Sequence, residues 1–150
     1  MNGLSDFLNP KRTVAELKEL RALTGDADGA QRVAFTPTWA KARAWMEGKM
    51  AELPVEAHKD AAGNSWFTLK GTSDKSLLIG GHIDSVPNGG WLDGCLGVVA
   101  GLAVLRRQIE MGTPPLTMHL IDWADEEGRF GRSLLGSSAA AGTLQPDRVR

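Results

Sequence analysis

Ser76-Leu77-Leu78-Ile79-Gly80-Gly81-His82 and Leu116-Thr117-Met118-His119-Leu120-Ile121-Asp122-Trp123-Ala124 are the two segments whose reading decides the fold. Each is a short apolar run that breaks into polar, glycine-rich or acidic sequence. Between them, from about Gly94 to Ile109, lies a helix that is apolar on nearly every face, as expected for one sandwiched in a core. Two apolar strands separated by a buried helix predict a βαβ unit whose parallel strands are covered on both sides.

Working outward, Thr13-Val14-Ala15-Glu16 has the form of a capping box that opens a helix ending near Gly25, in the glycine- and aspartate-rich run Thr24 to Gly29. A second helix begins with Thr36 as cap and Pro37 in the first turn. Its apolar residues Trp39, Ala42, Trp45, Met46, Met50 and Leu53 recur at intervals of three and four, and Pro54 stops it. Asn64 to Leu69 is predicted as a strand and Gly71 to Lys75 as a turn. The chain carries no repeat, low-complexity segment or linker.

Composition narrows the function classes. With 150 residues, 42% hydrophobic and 23% charged, the chain has the make-up of one globular unit. A net charge of −1 gives no electrostatic footprint for nucleic acid or an anionic membrane. The single cysteine cannot form an internal disulfide, and residues 1–12 show no basic start followed by an apolar run. The longest apolar stretch, Leu96 to Leu105, is about half of the ~20 residues needed to span a bilayer. A soluble, cytoplasmic protein is expected.

In open α/β sheets, ligands bind beyond the carboxyl ends of the strands. Both strand ends here are rich in metal-ligand chemistry. Gly81-His82-Ile83-Asp84 puts an imidazole and a carboxylate on one face of an extended segment, so Asp84 can accept the second ring N–H and make the other nitrogen of His82 a better ligand. Asp93, at the start of the buried helix, has two readings: an N-cap, or a metal ligand brought back to His82 by the turn-forming Pro87-Asn88-Gly89-Gly90. After the second strand come Asp125-Glu126-Glu127. Adjacent side chains point apart, so one glutamate can bind metal while the other takes a proton from water. Asp93 is the best candidate for a carboxylate bridging two ions. Elsewhere, His58 reads as a surface residue, His119 as a satisfied core histidine and Cys95 as a small buried residue. The glycine clusters match neither dinucleotide- nor phosphate-loop patterns.

Together, the segments 80–94 (GGHIDSVPNGGWLDG) and 125–137 (DEEGRFGRSLLGS) resemble the metal-site signatures of the N-carbamoyl-L-amino-acid hydrolases, allantoate amidohydrolases and β-ureidopropionases, two-metal hydrolases of the aminopeptidase-like group. The likeness runs from about Leu17 to Leu144. It implies an α/β, aminopeptidase-like (phosphorylase/hydrolase-like) fold, a three-layer αβα catalytic domain with a mixed, mostly parallel sheet. Residues 1–150 would be its amino-terminal part, without the dimerisation domain and the carboxyl-terminal half.

By the same resemblance, His82 binds one ion, Asp84 orients His82, Asp93 bridges both ions, Glu127 binds the second, and Glu126 is the general base. The implied cofactors are two divalent metal ions, zinc, manganese or cobalt. The implied reaction is hydrolysis of a ureido C–N bond by a metal-bound hydroxide, with ammonia and carbon dioxide released from carbamoyl substrates. The implied partner is a small N-carbamoyl or ureido substrate, with no nucleic acid or membrane, and the full-length parent is a homodimer. The family pattern has one more residue between Gly128 and Arg129 and two further histidines beyond this chain. Two other readings stand beside this one: an aminopeptidase-like or N-acyl-amino-acid deacylase on the same metal core, and a truncated, non-catalytic fragment.

Overall fold

The computed structural model describes residues 8–149. Residues 1–7, part of the segment read for a leader, and Arg150 lie outside the described residues.

The first helix, α1 (Pro10–Thr24), starts earlier than the capping-box reading places it. Asn9 supplies the cap, its side chain accepting from the Arg12 amide, and Pro10 stands in the first turn, where its missing N–H costs nothing. Glu16 therefore falls inside the helix. It is buried and paired with Arg106 at 2.8 Å and Arg12 at 3.2 Å. The second helix, α2 (Pro37–Ala51), begins as read: Thr36 caps the Trp39 amide, with Pro37 next. Its inward face carries Trp39, Ala42, Met46 and Met50, and also Arg43, an unexpected charge on an apolar face.

Four strands follow: β1 (Glu56–Lys59), β2 (Ser65–Leu69), β3 (Ser73–Gly81) and, after helix α3 (Cys95–Met111), β4 (Leu116–Asp122). Their order is β1-β2-β4-β3. The predicted β3–α3–β4 unit is present, with β3 and β4 parallel, and the sheet is mixed as expected. Its balance differs from the expected one, since β1–β2 and β2–β4 are antiparallel and only β3–β4 is parallel. β3 also begins inside the predicted turn. Ser73 already pairs with Leu116, and a register irregularity before Ser76 absorbs the extra residues.

Register assigns the two faces. Phe67, Leu120 and Ile79 form one cross-strand row, and Leu69, Met118 and Leu77 the next. Apart from Leu77, which is exposed at the sheet edge, these residues meet α1, α2 and α3 in one core with Leu17, Leu20, Met46, Met50, Val98, Leu102 and Leu105. Thr68, His119 and Leu78 share the opposite face, where Leu78 is 53% exposed. β3 is thus a sheet-edge strand, not one covered on both sides. His119 is satisfied, by Thr68 Oγ1 at 2.9 Å and Ser76 Oγ at 3.2 Å, but it is half-buried on this open face and not in the core. Helix α3 buries one side only and leaves Leu96 half-exposed. Two short elements close the chain, α4 (Leu135–Ala140) and a 3-10 turn at Pro146–Arg148. Among the described residues no helix is long and apolar enough to cross a membrane.

The crossing of α3 over the end of β3 depends on missing side chains. A Cβ at Gly97 would meet the Gly80 carbonyl oxygen at 2.5 Å. Gly97 is itself solvent-exposed, and at an ordinary exposed helix position Gly→Ala is favourable by about 1 kcal/mol. Here Gly97→Ala is expected to reverse that sign, lowering stability by about 1–3 kcal/mol through displacement of the strand end. Thermal unfolding reads this as a Tm lower by several degrees; an unchanged or raised Tm would show that the close approach is not limiting.

Candidate metal centre

The carboxyl ends of β3 and β4 lie side by side, with Gly81 paired to Asp122 and the Trp123 amide bonded to the Gly81 carbonyl at 2.9 Å. His82 therefore leaves one strand beside the point where Asp125-Glu126-Glu127 leave the other. The chain then folds back through Pro87-Asn88-Gly89. Asn88 takes φ 55°, the Gly89 amide bonds Val86, and Gly89 pairs across to Ala30. That return delivers Asp93 to the position just before the Gly94 cap of α3.

One atom each from His82, Asp93 and Glu127 lie within 4.8 Å of one another. This is the trio that the sequence reading named for metal, drawn from three loops. The capping alternative for Asp93 does not hold. The cap residue is Gly94, at φ 64°, and the helix start has no side-chain cap bond. Asp93 instead contributes its backbone carbonyl to Cys95 and brings its carboxylate close to Glu127. Gly94 is needed here, because a Cβ would strike the His82 ring at 2.5 Å.

Asp84 is fully buried and joins the two strand ends. Its Oδ2 accepts the Glu127 amide at 3.0 Å. Its Oδ1 stands 3.5 Å from His82 Nδ1 and has no hydrogen bond of its own. The nearer partner of Nδ1 is the Asp84 backbone carbonyl, at 3.0 Å. Both groups of Asp84 thus lie against the ring, the backbone carbonyl nearer, where the sequence suggested the carboxylate alone. Burial works against a charged His82, but the contacts with Asp84 and the charge of Glu127 prevail and raise it to about 9. Burial pushes the Glu127 carboxyl upward; His82 opposes this, and the Asp93 and Asp84 charges reinforce it. Carboxylate and imidazole donors crowded this closely suit a divalent cation, whose charge would offset their mutual repulsion.

Glu126 points elsewhere. Its Oε2 accepts from Ser137 Oγ at 2.8 Å, and its carbonyl accepts the Leu134 amide at 2.8 Å. The loop that reads as one residue short still closes on itself, with Asp125 Oδ1 receiving the Arg129 amide at 2.7 Å. Burial raises the Asp125 carboxyl, held at φ 52°. Asp84 and Asp125 also line a cavity of about 240 Å³ next to the centre, with Ser85, Val86 and Arg129. His58, His119 and Cys95 stay outside the centre, as read. His58 is exposed and stacks on Trp66, His119 is on the sheet face, and Cys95 is a buried thiol that desolvation raises to about 11.

Two supports escaped the sequence reading. Asp122, fully buried at the end of β4, receives the Ile83 amide on Oδ1 at 2.8 Å and Arg43 Nε on Oδ2 at 2.6 Å. Asn64 caps the turn beyond it, accepting the Ala124 amide at 2.8 Å. An acidic residue ending an apolar strand was the available signal for Asp122. Nothing local distinguishes Arg43 from a solvated lysine or arginine.

A family model described as Peptidase family M28 matches residues 64–150. The chain belongs to that family. This M28 chain is 40% identical over 127 residues to an N-carbamoyl-L-amino acid amidohydrolase of Geobacillus stearothermophilus, covering 81% of this chain and 31% of the relative. It is 36% identical over 128 residues to an allantoate amidohydrolase of Escherichia coli K12, covering 83% of this chain and 31% of that one. A crystal structure of an amidase of the hydantoinase/carbamoylase family from Burkholderia vietnamiensis superposes with a TM-score of 0.87 at 27% identity, over 93% of this chain and 35% of that chain. The resemblance carried by the two motifs and the aminopeptidase-like fold class are both borne out. The M28 chain spans about a third of the length of the curated relatives it matches.

If Asp84 orients both His82 and Glu127, Asp84→Asn should leave the fold intact and weaken divalent-ion binding about 10–100-fold. Titration calorimetry with Mn²⁺, checked by circular dichroism, measures this. Wild-type affinity in a folded Asn variant would remove Asp84 from that role.

Proposed function

We propose that this chain carries the amino-terminal part of the catalytic site of a metal-dependent amidohydrolase that cleaves a ureido C–N bond in N-carbamoyl-L-amino acids or allantoate-like ureido acids. The observation that carries the reading is the convergence of His82, Asp93 and Glu127 within 4.8 Å, beside a Glu126 turned to a different partner. Identity to an N-carbamoyl-L-amino acid amidohydrolase and an allantoate amidohydrolase supports the substrate class.

In this reading His82, Asp93 and Glu127 would hold two divalent ions as part of a larger ligand set, His82 serving the first, Glu127 the second and Asp93 both. Zinc, manganese and cobalt all suit imidazole and carboxylate donors. Such ions lower the pKa of water toward ~7 and offset negative charge developing on the carbonyl oxygen. Asp84 fixes the His82 ring and, through the Glu127 amide, the second strand end. Glu126, steadied at one oxygen by Ser137, takes the proton from the attacking water and returns it to the departing nitrogen. The rest of our reading places the protein in the cytoplasm and makes the full-length protein a homodimer, with a small ureido acid and neither nucleic acid nor membrane as its partner.

The peptidase name of the family supports a second reading, hydrolysis of an ordinary amide by an aminopeptidase-like or N-acyl-amino-acid deacylase on the same metal core. A panel of N-carbamoyl amino acids, allantoate, N-acetyl amino acids and dipeptides, offered to the protein that contains this chain, separates the two. We expect turnover of the ureido compounds, close to two divalent ions per protein by mass spectrometry, and a loss of about 10²–10⁴ in kcat for Glu126→Gln. Activity unchanged in that variant, or a protein that retains no metal, would sink the mechanism.

A further inference from the structure

We propose that Arg32 is a positioning residue for the metal centre, a guanidinium brace that holds the two arms of the 82–95 loop in the geometry that brings His82 and Asp93 together. This rests on the metal reading above and adds to it a residue outside both sequence motifs.

Arg32 is fully buried, the largest such side chain among the described residues. None of the hydrogen bonds it makes there goes to a carboxylate. Nε donates to the Ile83 carbonyl at 2.7 Å, Nη2 to Cys95 Sγ at 2.9 Å and, more loosely, to the Trp91 carbonyl at 3.5 Å, and Nη1 reaches Thr24 Oγ1 at 3.4 Å. Its backbone amide donates to Ser85 Oγ, and its carbonyl receives the Ser85 amide, both at 3.0 Å. Burying a guanidinium against neutral acceptors is costly, and an apolar side chain would fill the same space without that cost. A purely volumetric role does not account for it.

The addresses of the donors do. Ile83 stands between His82 and Asp84, with its amide already tied to Asp122. Arg32 takes its carbonyl, so both polar groups of the residue between the ligand and its orienting carboxylate are fixed. Trp91 and Cys95 flank Asp93, two residues before and two after. One planar fork therefore reaches both arms of the loop at once. The geometry is specific to arginine, whose donors are held in a rigid plane, whereas an ammonium on a flexible stem reaches fewer acceptors together. Arg43, the other buried arginine among the described residues, plays a different part, neutralising Asp122.

The test compares wild type, Arg32→Lys, Arg32→Met and a control, Leu105→Ala. Leu105 is ten residues along α3 from Cys95, about 15 Å, and its truncation loosens the core without touching the loop. Mn²⁺ affinity is measured by calorimetry on the purified protein that contains this chain, with Tm and circular dichroism recorded alongside. We expect the Kd for Mn²⁺ to rise about 10-fold in Arg32→Lys and toward 100-fold in Arg32→Met, with Leu105→Ala lowering Tm but leaving Kd unchanged. Should Arg32→Met fail to fold, Arg32→Lys carries the comparison, since it keeps the charge and most of the volume. Wild-type affinity in folded Arg32→Lys would overturn this inference while leaving the metal reading intact, as would an equal loss of affinity in Leu105→Ala. Failure of the wild-type protein that contains this chain to bind Mn²⁺ would overturn the metal reading and this inference with it.

Discussion

The carboxylate of Asp122 is the constraint on which the rest of the molecule depends. It is sealed at the end of the central strand, with the Arg43 guanidinium on one oxygen and the Ile83 amide on the other. A buried carboxylate left without such partners would be worth several kcal/mol of instability. The same atoms set the layout. Arg43 comes from α2, so the pair fastens that helix over the sheet; Ile83 comes from the loop after β3, so the other oxygen fixes where His82 and Asp84 emerge. Arg43 also lies over the Trp39 ring at 4.4 Å and reaches the Gly63 carbonyl at 2.7 Å, which extends the tie to the turn before β2.

From this tie the centre is assembled by backbone addresses more than by contacts among the ligands. Asp84 receives the Glu127 amide, Gly81 receives the Trp123 amide, and Ser137 and Leu134 hold the two ends of Glu126. The result is a set of carboxylates kept close in a partly desolvated place, which is an unfavourable arrangement by itself. Burial and mutual repulsion raise Glu127, and the proton-holding tendency of His82 partly offsets them. Strain of this electrostatic kind, with donors aimed at one point, is what a site built for an external positive charge should show.

The opposite face of the sheet has a different character. Trp66 stacks with His58 and meets His119 and Trp123 edge-on, while Leu78 stays more than half exposed. The helices α1, α2 and α3 all contribute to the core on the other side, so stability and the metal-bearing loops draw on the same layer. The polar ladder of Thr68, His119 and Ser76 lies apart from both.

The sequence by itself determined the central βαβ unit and the candidate metal ligands. Alternation between apolar runs and a buried helix gives the β3–α3–β4 path, and residue types at strand ends name His82, Asp84, Asp93, Glu126 and Glu127, because ligand chemistry is local to a side chain. It also placed Thr36-Pro37, since a cap needs only its neighbours. It misplaced the start of α1 and the extent of β3, where weak local signals compete and tertiary pairing decides between them. Only the tertiary structure decided that β2 would enter antiparallel beside β4, that β3 would stand at an edge, and that Asp93 would face His82 instead of capping α3. It alone revealed Arg32 and Arg43 as interior residues. The physical reason is that a buried charge is defined by partners distant in the chain: Asp122 lies 79 residues from Arg43, and Ile83 51 residues from Arg32. No periodicity or motif within either segment encodes those meetings.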